Sequence, residues 1–531
     1  MECRRKPQSN VLMTKRACLR HAFLPIRCLL YTFLMHIKYN PHVQLQTKML
    51  CPRYPYRDLF LKSNGICTAS FIIIIILFAI LKYRVLSTPF FWDELGVYGN
   101  MSFQLADNGL SLHPKAIDQW LSHGHPLLYP CIISIGCNWF GTSVFVAHLG
   151  NLVISVALVV SVFLHSSCLE NRFLGLLSTS ILMSQPIFFA QSAMVLPEIA
   201  LSLALWWCTW TYFRQKLIPY VIAGSAAVLI KEPAVVWICA LFTYDFLFGR
   251  NRFSLRSMQW ILPMIVFIVF LLVQKRTWGW YLFPYHSNSI DFTPGEVVSK
   301  LWLYLKFLFW EQGRGLVAFT IFLGCFLITT KPKLLQNYWR KARKLFFSIG
   351  FTACISYLLF SSLTFFLWRY ILPLLPYISI LAAICIYRLA HDRKVYLAFV
   401  LFLGCTLLPI SYSSSNHFDY DSDMSYIRAI DAEKKALQYM ISNGIYQQDK
   451  FSVNMPLNYA IIDKRFGYLP DSVPSYGSNQ ISEKTIFAVA LTPGTSLENP
   501  KNLPLELTFE QYFYDIKMSI YRVIHDSLTI E

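Results

Sequence analysis

Apolar runs long enough to enter a bilayer recur along this chain, starting with SFIIIIILFAIL at 70–81. A bilayer offers the backbone no water, so a crossing segment must satisfy its N–H and C=O groups internally. A helical crossing takes roughly 20 apolar residues. Stretches at 66–86, 144–165, 172–189, 193–213, 218–231, 234–249, 258–275, 315–330, 345–366, 370–388 and 396–412 read as such spans. With 55% hydrophobic and only 14% charged residues, against about 25% charged in soluble domains, a soluble fold is excluded. The expected class is a polytopic α-helical membrane protein of about 11–13 transmembrane helices.

The net charge of +18 is unevenly placed. Residues 1–62 hold 12 Lys/Arg against 2 acids, and 413–531 hold 10 against 15. RQK (214–216), GRNRFSLR (249–256), the KPKLL…RKARK stretch (331–344) and HDRK (391–394) fall on one side under this span count, as the positive-inside rule requires. The charge thus marks loops and anionic lipid contacts, not nucleic acid. All 14 cysteines lie at or before Cys405, mostly in apolar segments, so buried thiols are expected and no disulfide framework. The N-terminal AFLPIRCLLYTFLMHI is too short and broken for a signal peptide. It reads as an interfacial helix or as over-extended translation ahead of Met49.

The same count sends 87–125, the turn near 190–198, the loop 276–313 and everything after 412 to the opposite, outer side. PLLYPCIISIGCNWFG (126–141) breaks the parity and reads as a re-entrant or interfacial helix, with a true span and one other span miscounted as the alternative. The domain plan is a basic segment over 1–65, a transmembrane unit over 66–412, and a small soluble α/β domain over 413–531. In that last part Met424, Ile427, Ile430, Leu437, Met440 and Ile441 fall near helical spacing before Gly444, and TIFAVAL (485–491) reads as a strand.

Ionisable residues at span ends are functional candidates, because they are costly unless they meet water or a partner. Here they gather on the outer side. Asp93 and Glu94 open the first outer loop, HGHP (123–126) closes it, and Glu198 begins a span. Lys231, Glu232, Arg369 and Tyr370 mark other span ends, while His286, Asp291, Glu296 and Arg314 belong to the loop 276–313 or its edge. For each alone, an ion pair or snorkelling is an equal reading. Together, acids and cations suit transfer of a sugar from a lipid phosphate. The acceptor needs a carboxylate base, and the leaving phosphate needs cations already in place. No Walker loop or dinucleotide fingerprint is present.

FWDELGVYGNMSFQLADNGL resembles the first-loop acidic motif of the membrane-embedded GT-C glycosyltransferases, in the protein O-mannosyltransferase and lipid A aminoarabinose transferase group. GHPLLYP, QSAMVLPEIALSLALWW, LIKEPAVV and WRYILPLLPYISIL are similar to that group's later motifs, in the same order over about 66–412. Glu198 stands where Asp is more usual, and Glu232 where Gly is usual. The resemblance implies that Asp93 is the catalytic base and that Glu94 shares that role or orients the acceptor. It implies phosphate or substrate contacts for His125, Lys231 and Arg369. Tyr370 and His286 join them as substrate-binding candidates on position. It also makes Asp93 and Glu198 candidate ligands of a divalent metal, Mg or Mn.

The expected function is inverting transfer from a polyprenyl-phosphate sugar donor to the hydroxyl or amine of a glycan, lipid or protein. The expected place is a bacterial inner membrane, with the site and the C-terminal domain facing the periplasm. Two other classes stand beside it. A flippase for a lipid-linked sugar predicts an internal repeat, which the sequence does not show. A receptor-like membrane protein would use the acidic tail for a partner.

Overall fold

The computed structural model describes residues 65–248, 255–330, 341–389, 421–442, 451–454, 457–461, 463–469, 487–492, 499, 502–513 and 516–524. The sequence readings on 1–64, on the span at 396–412 and on Gly444 lie outside the described residues.

Helix α1 (Gly65–Tyr83) buries Phe71, Phe78 and Lys82 on one stripe. It leaves Ile72, Ile73, Ile76, Leu77, Ile80 and Leu81 exposed. A stripe inside and isoleucines outside is the pattern of a helix solvated by lipid. Helix α2 (Gly99–Asn108) follows the loop after α1. Helix α3 (Leu128–Phe140) covers the segment that broke the parity. Its 13 residues give about 20 Å of length, short of the roughly 30 Å hydrocarbon layer.

The 26-residue α4 (Val144–Leu169) starts at Ser143, whose hydroxyl accepts the Val146 N–H. Its buried face mixes apolar residues such as Leu152, Leu158 and Val162 with the polar His148, Asn151, Ser155, Ser161 and His165. The inside supplies hydrogen-bond partners to His148, Asn151 and Ser155, while both ring nitrogens of His165 are buried without one. Then come α5 (Arg172–Met183), α6 (Pro197–Phe213), α7 (Leu217–Ile230), α8 (Ala234–Phe248), α9 (Leu262–Trp278), α10 (Pro294–Phe309), α11 (Arg314–Thr330), α12 (Lys341–Ser361) and α13 (Leu375–Leu389). The spans read from the sequence that lie in the described residues therefore appear as helices with ends shifted by a few residues, except that 172–189 breaks after Met183, ahead of a short helix Pro186–Gln191. Among the described residues, four helical stretches, Gly65–Tyr83, Val144–Leu169, Gln259–Trp278 and Trp368–Tyr387, are long and apolar enough to cross a membrane, and others are shorter apolar helices. Helix α6 is buried on nearly every side, and Pro197 at its first turn sets its start.

Proline also explains the irregular entry to α13. Residues Trp368–Leu374 form a 3₁₀ segment with Pro373 inside it. Pro373 has no N–H to bond the Arg369 carbonyl four residues back, so an α-helix cannot run through.

After the bundle come α14 (Tyr426–Ser442) and strands β1 (Phe451–Val453), β2 (Phe487–Thr492), β3 (Leu505–Phe513) and β4 (Ile516–Val523). The sheet order is β1-β2-β4-β3, with β1 parallel to β2 and the other pairs antiparallel. Helix α14 buries Ile430, Leu437 and Met440, as its spacing predicts, but Ile441 is 41% exposed. One continuous core joins these residues to the bundle. Cys67, Cys131, Cys137, Cys208, Cys239 and Cys354 are free thiols.

The tail grips the loop that follows α1. Phe90 N–H donates to the Phe466 carbonyl (3.1 Å), and the Tyr468 hydroxyl donates to the Phe90 carbonyl (2.9 Å). Tyr468 also bonds the Glu433 carboxyl. A phenol has one proton, and a carbonyl can only accept. The Glu433–Tyr468 bond is therefore complete only when the carboxyl is protonated. Burial agrees, pushing Glu433 up to about 8 against the pull of Tyr468. Because the folded value lies above the usual 4.5, this stability is complete below the unfolded value and lost as pH rises through the folded one. Glu433→Gln, which can donate without titrating, is expected to flatten the fall in melting temperature between pH 5 and pH 9.

Candidate active site

Asp93 precedes a single π-helical turn, Glu94–Tyr98, and Trp92 before it has φ of 51°. Single π turns and left-handed non-glycine residues concentrate at functional sites. Gly99 lets this turn close. A Cβ there would lie 2.6 Å from both the Glu94 carbonyl oxygen and the Phe90 ring. Gly99→Ala is expected to destabilise the protein by about 1–3 kcal/mol through overpacking and to displace both acids, measured as a lowered unfolding midpoint.

The two acids are treated differently by the fold. Glu94 is 1% exposed. Its Oε2 accepts the Phe91 N–H (3.0 Å), and its Oε1 accepts the Val195 N–H and faces His148 Nε2 (2.9 Å). His148 Nδ1 faces the Leu86 carbonyl at 3.1 Å. Glu94 thus ties the loop to the 190–198 turn and to α4, and both its oxygens are engaged. The Asp93 side chain is 24% exposed and pairs with Arg369 Nη2.

Arg369 is the hub. Its Nε donates to Glu198 Oε1 (3.0 Å) and its Nη1 to Asp421 Oδ2 (2.5 Å), besides the Asp93 pair. Glu198 Oε1 also accepts from Lys231 Nζ at 2.5 Å, while its buried Oε2 has no partner. The Lys231 ammonium lies 4.6 Å from the Tyr370 ring centroid. Two cations therefore meet three carboxylates, brought from the loop after α1, α6, the α7–α8 turn, the 3₁₀ segment and the start of the tail.

Beside this cluster, His125 Nδ1 faces both Glu232 oxygens at 3.1 Å. Lys231 and Glu232 are thus not partners of each other. Adjacent residues leaving α7 diverge, one toward Glu198 and one toward His125. Burial raises the Glu232 carboxyl, but facing His125 holds it below its usual value. The His125 ring is 5.0 Å from His286, and His123 is 6.2 Å from His286. Burial first, then neighbouring His125, lowers His286 to about 3 and His123 to about 4. These two are neutral hydrogen-bonding groups at neutral pH, not cations. Tyr98 stacks on His125 at 5.6 Å, and burial foremost holds its phenol protonated.

Of the other sequence candidates, Asp291 accepts the Thr293 N–H (2.7 Å) and Glu296 is exposed. Arg314 donates to the Phe307 carbonyl (2.6 Å) and to Gln312 Oε1 (3.1 Å). Those contacts hold their own loops. The sequence reading missed Asp421, Tyr98 and His148. The acid-dense DYDSD at 419–423 was the available signal for Asp421. Among the described residues, no three His, Cys, Asp or Glu side chains gather as metal ligands. Between Asp93 and Glu198 lies the Arg369 guanidinium, so this pair as arranged does not fit a shared cation.

No family model and no curated sequence matches this chain. The fold is similar to that of ArnT. The chain is similar to the crystal structure of ArnT from Cupriavidus metallidurans in the apo state, at TM-score 0.52 and 14% identity, covering 85% of this chain and 98% of that one. The structure of that ArnT bound to undecaprenyl phosphate gives TM-score 0.51 and 13% identity with the same coverage. The fold and its apolar helices make this an integral membrane protein.

Proposed function

We propose that this protein transfers a sugar from a polyprenyl-phosphate donor to a hydroxyl or amine acceptor, with inversion. The single observation that carries this reading is the Arg369 cluster. It places a partly exposed carboxylate beside a guanidinium and an ammonium at one end of a membrane helix bundle. Asp93 takes the acceptor proton, and Arg369 and Lys231 hold the phosphate as it gathers negative charge. Glu94 positions the loop that carries Asp93. His125, His286, Tyr370 and Tyr98 line the approach and bind substrate. The bound lipid phosphate of the similar ArnT structure supports a polyprenyl phosphate as the carrier. The positive loops support placing the site and tail on the outer face of a bacterial inner membrane.

The acceptor is found by mass spectrometry of glycans and lipids from cells with and without the protein. A glycan or lipid that loses one sugar unit in the deletion supports the reading. Identical profiles under conditions where the protein is made would contradict it.

A further inference from the structure

The three carboxylates on Arg369 are not equivalent. The Glu198 side chain is 0% exposed and also holds Lys231. Asp421 is 10% exposed. Its backbone is anchored too, since Gln191 Nε2 donates to the Asp421 carbonyl (3.2 Å) and Gln312 Nε2 to the Ser422 carbonyl (3.2 Å). Asp93 is 24% exposed and sits beside the strained Trp92. It is the arm an incoming anion meets first.

Charge makes the same distinction. The cluster already carries one more carboxylate than it has cations. A phosphodiester added to all three arms would deepen that excess where water is scarce, which is costly. A phosphodiester that replaces one arm leaves the count around the guanidinium unchanged.

We propose, resting on the functional reading above, that donor phosphate enters by exchange at Arg369. It takes the Nη2 arm and releases Asp93 toward the acceptor. Glu198 keeps Nε, and Asp421 keeps Nη1 as a positioning residue supplied by the segment that follows the bundle. The base is idle until the donor is seated, so donor binding precedes acceptor activation. In the transfer step the acceptor O–H or N–H proton passes to Asp93, and the acceptor atom bonds the anomeric carbon. The bond from that carbon to the phosphate oxygen breaks, and its electron pair stays on the phosphate, which Arg369 holds.

The test uses the full chain in lipid nanodiscs with undecaprenyl phosphate as the probe. Asp93→Asn and Asp421→Asn each remove one negative charge from the same guanidinium. Exchange requires Asp93→Asn to bind the lipid phosphate about tenfold more tightly, the scale of an ordinary coupling between ligands, and Asp421→Asn to change affinity less than about threefold. Asp93→Ser serves as a second variant, and the unfolding midpoint of each protein identifies those that are folded. Equal tightening by both asparagine variants overturns the exchange, as does the absence of tightening in folded Asp93 variants. A wild-type protein that does not bind the lipid phosphate overturns the functional reading instead.

Discussion

Asp93→Asn is expected to lower sugar transfer by at least about 10²-fold, the scale of a lost general base, while leaving the protein folded. Asparagine fills the same space and can still meet the Arg369 guanidinium through its carbonyl oxygen, but it cannot take a proton. The partial exposure of Asp93 argues against a large stability cost. Initial rates with saturating donor and the unfolding midpoint of the purified variant check both halves. Glu94→Gln should show the opposite balance. Glu94 is buried with both oxygens engaged, so its neutral variant loosens the loop and costs stability before chemistry.

Arg369→Met is expected to be the most damaging single change. It removes one guanidinium and strands three carboxylates, two of them deeply buried, with Lys231 as the remaining cation. Breaking a buried ion pair from one side costs about 3–5 kcal/mol, because the other charge stays behind unpaired. Loss of a preorganised phosphate contact adds a fall in transfer of about 10²–10³-fold. Chemical denaturation of the detergent-solubilised variant reads the first effect, and donor turnover reads the second. Arg369→Lys should recover part of the stability and little of the activity. One ammonium cannot reach three carboxylates in the planar geometry that Nε, Nη1 and Nη2 provide.

Much of the helical bundle is legible in the sequence because lipid enforces one rule on every span. Apolar runs therefore become helices close to where they are read, as with SFIIIIILFAIL in α1. Asp93, Glu198, Lys231, His125 and Arg369, which charge parity puts on one side, do meet at one end of the bundle, while Asp291, Glu296 and Arg314 do not join them. Their pairings are another matter. Whether Glu198 or Glu232 takes Lys231 depends on the path of the turn after α7, which no periodicity encodes. Asp421 belongs to a polar tail whose return to the bundle rests on tertiary contacts such as Phe90 with Phe466 and Gln191 with Asp421. Those contacts join residues hundreds apart, so a local reading sees only an acidic stretch. The PFFWDELGVYGN loop shows both sides of this. Its two acids stand out in the sequence, but only the fold shows that Glu94 points inward to His148 and Asp93 toward Arg369.

The most direct measurement of the central claim is transfer of a radiolabelled sugar from a polyprenyl phosphate by proteoliposomes containing the wild-type chain, with cell-envelope extract as acceptor. The account predicts label in the acceptor fraction, an inverted anomeric linkage, and loss of the signal in Asp93→Asn. Label that stays on the lipid carrier while crossing the vesicle membrane, or transfer that Asp93→Asn leaves intact, would contradict it.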